Sequence, residues 1–90
     1  MSLNIDQLKK KIIYRSNYRG TKEMDKLLGA FIKKIINQLS LIELIALEKW
    51  LDIDDDNLYK FYNGLKTDFI FQDSVINSLF KSFKYEKDDN

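Results

Sequence analysis

The sequence predicts an all-α fold, a compact single-domain antiparallel bundle of about five short helices. Three observations carry that expectation. The 90 residues include no Pro and only three Gly, so little interrupts a helix and little makes the turns of a strand architecture. Apolar residues recur at steps of three and four through most of the chain. The stretches between these periodic segments are short, which favours antiparallel neighbours. Residues 1–85 are expected to form the one helical domain and residues 86–90 a flexible polar tail.

The first helix is predicted from Ile5 to Tyr18. Ile5, Leu8 and Ile12 share one stripe, Asn4 suits the N-cap, and Asp6 sits where the helix dipole favours an acid. Gly20 suits the left-handed residue that closes many helices, with Arg15 and Arg19 near the negative end of the dipole. The second helix, Lys22 to Gln38, has the clearest apolar period, from Met24, Leu27 and Leu28 through Phe31 and Ile32 to Ile35. Thr21 suits its N-cap. Gly29 inside it costs about 1 kcal/mol against Ala unless a neighbouring helix needs the space. Ser40-Leu41-Ile42-Glu43 is a capping box and opens a third helix reaching about Leu51. That helix is apolar on most sides and is expected to be buried on more than one face. The acids of Asp52 to Asp56 form a turn suited to capping a fourth helix, Asp55 to Asn63, which Gly64 stops. Residues 66–72 read as a connector. A fifth helix is predicted from Asp73 to Lys84, with Ile76, Leu79, Phe80 and Phe83 at helical spacing.

Composition excludes several chemistries. The chain has no Cys, so it has no disulfide framework and no thiolate metal site. It has no His, so neither a Ser-His-Asp nor a Cys-His arrangement can be built. Neither G-x-G-x-x-G nor G-x-x-x-x-G-K-[ST] occurs. The acidic run from Asp52 invites comparison with an EF-hand loop, but Asn57 and Asn63 stand where Gly and Glu are required. No metal site and no catalytic residue is therefore expected. No apolar run approaches the ~18 residues of a membrane span. Membrane insertion is not expected, and a bacterial cytoplasm is the expected compartment.

The net charge of +1 conceals an asymmetry. Residues 1–22 carry Lys9, Lys10, Lys11, Arg15, Arg19 and Lys22 against Asp6. Residues 43–60 carry six acids against Lys49 and Lys60. Such a distribution either guides a partner or draws two ends of a bundle together. Tyr14 and Tyr18 lie among the cations, and aromatics interleaved with basic residues can stack bases. A near-neutral total and the absence of any nucleic-acid-binding motif weigh against that reading, and no nucleic-acid partner is expected.

One run concentrates functional side chains: Arg15-Ser16-Asn17-Tyr18-Arg19-Gly20-Thr21-Lys22-Glu23-Met24-Asp25. It is a helix–Gly–helix junction with two Arg, two acids and a Tyr. End-capping plus an exposed Arg19–Glu23 ion pair accounts for each charge singly. Arg19-Gly20-Thr21-Lys22-Glu23 also matches R-G-x-x-E, and Leu47-Glu48 and Asp56-Asn57-Leu58-Tyr59 follow in order. In these positions the chain resembles the succinate dehydrogenase flavinylation factors, the SdhE family or succinate dehydrogenase assembly factor 2. The resemblance covers roughly residues 8–65. Tyr18 stands where many members carry a second Arg, and Thr21-Lys22 replaces a common Met-Leu or Met-Lys pair.

The resemblance implies a chaperone-like assembly factor and not an enzyme. Members assist covalent attachment of FAD to the flavoprotein subunit of succinate dehydrogenase, and often of fumarate reductase. The acceptor there is a His of the client. This chain has neither His nor Cys, so it cannot carry the flavin itself, and FAD is the client's cofactor. By matching position, Arg19, Gly20 and Glu23 would face the client, with Tyr18, Lys22, Asp25 and Arg15 around them. Gly20 would allow a close backbone approach. A monomer is the expected state. A basic-faced nucleic-acid module and a generic helical adaptor are the alternatives.

Overall fold

The computed structural model describes residues 4–85 and places five α-helices along them. They are α1 (Ile5–Asn17), α2 (Lys22–Ile35), α3 (Leu41–Trp50), α4 (Asp55–Tyr62) and α5 (Val75–Ser82), and α2 ends in a 3-10 turn at Ile36–Gln38. No strand occurs among the described residues, so the all-α single domain stands. The expected polar tail at 86–90 lies outside the described residues.

The helix starts follow local chemistry. Each of the first four N–H groups of a helix lacks an intrahelical acceptor, so a short polar side chain just ahead of it is stabilising. Asn4 Oδ1 accepts from the Gln7 N–H, Thr21 Oγ1 from Met24, and Ser74 Oγ from Asn77. Ser40 and Glu43 close the reciprocal capping box at α3. Asp54 departs from expectation. It occupies the N-cap of α4, but its carboxylate accepts from the Asn57 side chain at 2.6 Å and not from the backbone. Helix ends also differ from expectation, most clearly in α1 and α5. Helix α1 stops at Asn17, because Tyr18 leaves the helical region (φ −132°, ψ 68°). Helix α5 is shorter than Asp73 to Lys84, because Ser74 is extended at its start and Phe83 at its end.

Helix α2 is the spine of the core. Leu28, Phe31 and Ile32 are fully buried, and Leu8 and Ile12 of α1 pack with them in one cluster. Phe80 brings α5 onto the bundle. Its ring lies 4.9 Å from Phe31, 5.0 Å from Trp50 and 5.0 Å from Tyr62, centroid to centroid. Trp50 keeps its indole N–H satisfied by donating to Asn77 Oδ1 at 2.8 Å. The Tyr62 hydroxyl donates to the Phe83 carbonyl and accepts from the Tyr85 N–H, which ties residues 83–85 to α4.

Gly29 is a close-approach position. A Cβ there would lie 2.5 Å from Asn17 Oδ1 at the end of α1. Helix α3 corrects the expectation of burial on several faces. Leu44, Leu47 and Trp50 are buried, but Ile42 is 80% exposed and Leu41 and Ile45 are also open. The core lies on one side of α3 only, and no described element covers the other. No helix among the described residues is long and apolar enough to cross a membrane.

Candidate functional site

The junction between α1 and α2 turns on Gly20. Its φ of +121° is in the region that side-chain-bearing residues rarely adopt, so the bend selects glycine for its backbone. A Cβ there would meet nothing within 4 Å among the described residues beyond its own neighbours in the chain. The glycine therefore presents open backbone to solvent. Asp25, one turn into α2, accepts a short hydrogen bond from the Arg19 N–H and fixes the entry angle. Thr21 caps the same helix start.

Arg19 points inward. Its side chain is 10% exposed. Nε donates to Asp55 Oδ1 at 2.7 Å, one terminal nitrogen to the Leu51 carbonyl at 2.5 Å, and the other to the Ile53 carbonyl at 2.6 Å. The planar guanidinium thus grips the whole turn between α3 and α4, a geometry that a lysine ammonium could not reproduce. The Arg19–Glu23 ion pair considered from sequence is not formed, because Asp55 takes that role.

Arg15 and Lys11 repeat the pattern. Arg15 donates to the Glu48 carbonyl at 2.9 Å and pairs with Asp52 at 2.6 Å, and Lys11 pairs with Glu48 at 2.9 Å. Lys11 and Arg15, one turn apart on α1, and Arg19 just beyond its end lie four apart in sequence and meet Glu48, Asp52 and Asp55 at nearly the same spacing. Half of the charge asymmetry is thus an internal ladder. The Lys11 and Arg15 pairs each have one partner largely open to water and contribute little, while the Arg19 pair is the sheltered one. Sequence reasoning named the cations, the acidic stretch and an attraction between them as one reading, but not which acid each cation meets. The matched spacing was the available signal.

The residues singled out from sequence divide into two groups. Arg15, Arg19 and Asp25 are partly buried and hold the frame. Tyr18, Gly20, Lys22 and Glu23 are exposed. Tyr18 is 69% exposed, and its ring lies 4.6 Å from that of Tyr14. Glu23 forms no ion pair or side-chain hydrogen bond among the described residues. It borders a hollow of about 230 Å³ lined also by Leu27, Tyr59, Tyr62, Asn63 and Tyr85. The tyrosines around Glu23 were not legible from sequence, since they come from α4 and the chain beyond α5. The junction carries a tilted Tyr14–Tyr18 pair, the exposed backbone of Gly20 and the exposed carboxylate of Glu23.

The sequence pattern of one family, described as the flavinator of succinate dehydrogenase, matches residues 10–84. This chain belongs to that family. The match takes in the junction, the charge ladder and all of α5. A curated relative from Lodderomyces elongisporus, named succinate dehydrogenase assembly factor 2, mitochondrial, is 38% identical over 55 residues. That stretch is 61% of this chain and 34% of the relative, so the chain spans about a third of the relative's length. No solved structure matches the chain.

Proposed function

We propose that this flavinator-family chain binds the flavoprotein subunit of succinate dehydrogenase and promotes covalent attachment of FAD to it, without catalysing a step itself. The observation that carries the reading is the family match over residues 10–84, which includes the exposed junction. Fumarate reductase is a second candidate client, resting only on the resemblance of the R-G-x-x-E junction. FAD remains the client's group, since this chain has neither His nor Cys to carry it.

The difference in exposure supports giving the two groups of residues different work. Tyr18, Gly20, Lys22 and Glu23 meet the client: Glu23 and Lys22 through charge-assisted hydrogen bonds, Gly20 through close backbone approach. Arg15, Arg19 and Asp25 keep that rim in shape. Attachment is then promoted by preferential binding to the attachment-competent client conformation, which requires higher affinity for that conformation than for others.

The test uses surface variants that leave the fold alone. Glu23→Gln and Tyr18→Ala are expected to stay within about 0.5 kcal/mol of wild type in stability, as exposed substitutions do. In a strain lacking the wild-type protein, both are expected to leave the client with little covalent flavin, read by in-gel fluorescence. Full flavin attachment with both variants together would overturn the proposed docking surface. Full attachment in a strain lacking the protein altogether would overturn the function.

A further inference from the structure

A sizeable cavity lies apart from the junction residues and borders the same α3–α4 turn. It has a volume of about 740 Å³ and runs between α3 and the chain leading into α5. Trp50, Ile53 and Ile76 line its base, and Phe69 and Ile70 form one lip. Ile70 is 82% exposed. The uncovered face of α3, with Ile42 and Ile45, is open as well. Large apolar side chains left open on one helix and one lip are the mark of a surface that meets a partner.

The rim tells which partner. Asp52, Asp54 and Asp73 stand on it against Lys49 alone. Asp52 already shares Arg15, while Asp54 and Asp73 make no ion pair among the described residues. A two-fold pair of copies would set these acids against each other, which disfavours self-association through this face. An amphipathic segment with apolar residues on one side and Lys or Arg flanking them suits both the base and the rim. We propose that this groove docks a cationic amphipathic segment of a partner protein, as a second contact separate from the Tyr18–Glu23 rim. Arg19 holds the carbonyls of Leu51 and Ile53 in the turn that also supplies Asp52, Ile53 and Asp54 to the groove, so the two contacts share one support.

The full chain and two synthetic peptides test the idea. One peptide is an amphipathic Leu/Lys helix about four turns long, and the other has Glu at each Lys position. Trp50 is the single tryptophan and sits in the groove, so its fluorescence reports occupancy. The Leu/Lys peptide is expected to bind saturably, with amide shifts confined to residues 42–54 and 69–77. Asp73→Lys and Ile70→Asp, both exposed, are each expected to weaken it roughly tenfold, about 1.4 kcal/mol. Glu23→Gln is expected to leave peptide binding unchanged, which separates this contact from the junction. Four results would each overturn the inference: no binding of either peptide, equal binding of both, shifts on the α1–α2 face, or concentration-dependent self-association blocked by Ile70→Asp without peptide binding. The last would assign the groove to a second copy of this chain.

Discussion

Replacing Arg19 by Ala tests whether the most recognisable residue of the junction acts from inside the fold. The substitution removes three donors at once. It leaves the Asp55 carboxylate, 26% exposed, and the Leu51 and Ile53 carbonyls without their partner. A hydrogen bond involving a charged group contributes about 1.5–3 kcal/mol. Water can reach Asp55 and the turn, so about 1 kcal/mol per lost bond is the fitting figure, about 3 kcal/mol in all. For a domain of this size, 1 kcal/mol shifts the melting temperature by about 4–8 °C, so a fall of roughly 12–24 °C is expected. Arg19→Lys keeps the charge but can satisfy only part of the fork, and about half that loss is expected. A double-mutant cycle with Asp55→Asn should return a coupling of about 1 kcal/mol. Urea unfolding followed through Trp50 fluorescence measures all of these. Arg19→Ala within about 0.5 kcal/mol of wild type would refute the clamp. If that stable variant also failed to support flavin attachment, Arg19 would be a docking residue.

Three further outcomes follow from the same geometry. Gly20→Ala is expected to cost about 1–2 kcal/mol by denaturant unfolding through backbone strain alone, because its Cβ would meet nothing; an unchanged midpoint would show that the bend relaxes. Gly29→Ala is expected to be near neutral in wild type, since about 1 kcal/mol of helix propensity offsets the clash with Asn17 Oδ1, but to stabilise by about 1 kcal/mol in an Asn17→Ala background; equal effects in both would remove the close approach as the reason for the glycine. The side-chain hydrogen bond to Asp56 holds the Lys60 ammonium above its ordinary value of 10.5. A raised folded value means that the contribution is complete at pH below 10.5 and fades only as pH rises through the folded value. The stability difference between wild type and Lys60→Gln should thus be constant through neutral pH, and a difference that faded there would point to another group.

Much of the architecture was legible in the order of residues because helix signals are local. Caps act across three positions, as at Asn4–Gln7 and Ser40–Glu43. Apolar stripes act across three and four, as in α2. The candidate junction was legible too, since R-G-x-x-E is contiguous and Gly20 sits where only a positive φ lets the chain turn. The face of α3 was not. A helix apolar all round is compatible with full burial, and only the placement of its neighbours shows that Ile42 and Ile45 stay open.

The sequence by itself determined which segments are helices, where the first four start, that the chain contains neither His nor Cys, and which run of residues forms the junction. The tertiary structure alone decided what the charges do. Arg15 and Arg19 meet partners 32 to 37 residues away in sequence, and no local period encodes such a distance. Two opposite charges in one chain attract whatever the fold. Which of them are sheltered, as the Arg19 guanidinium is, depends on how the helices between them pack, and that separated the partly buried residues of the junction from its exposed ones.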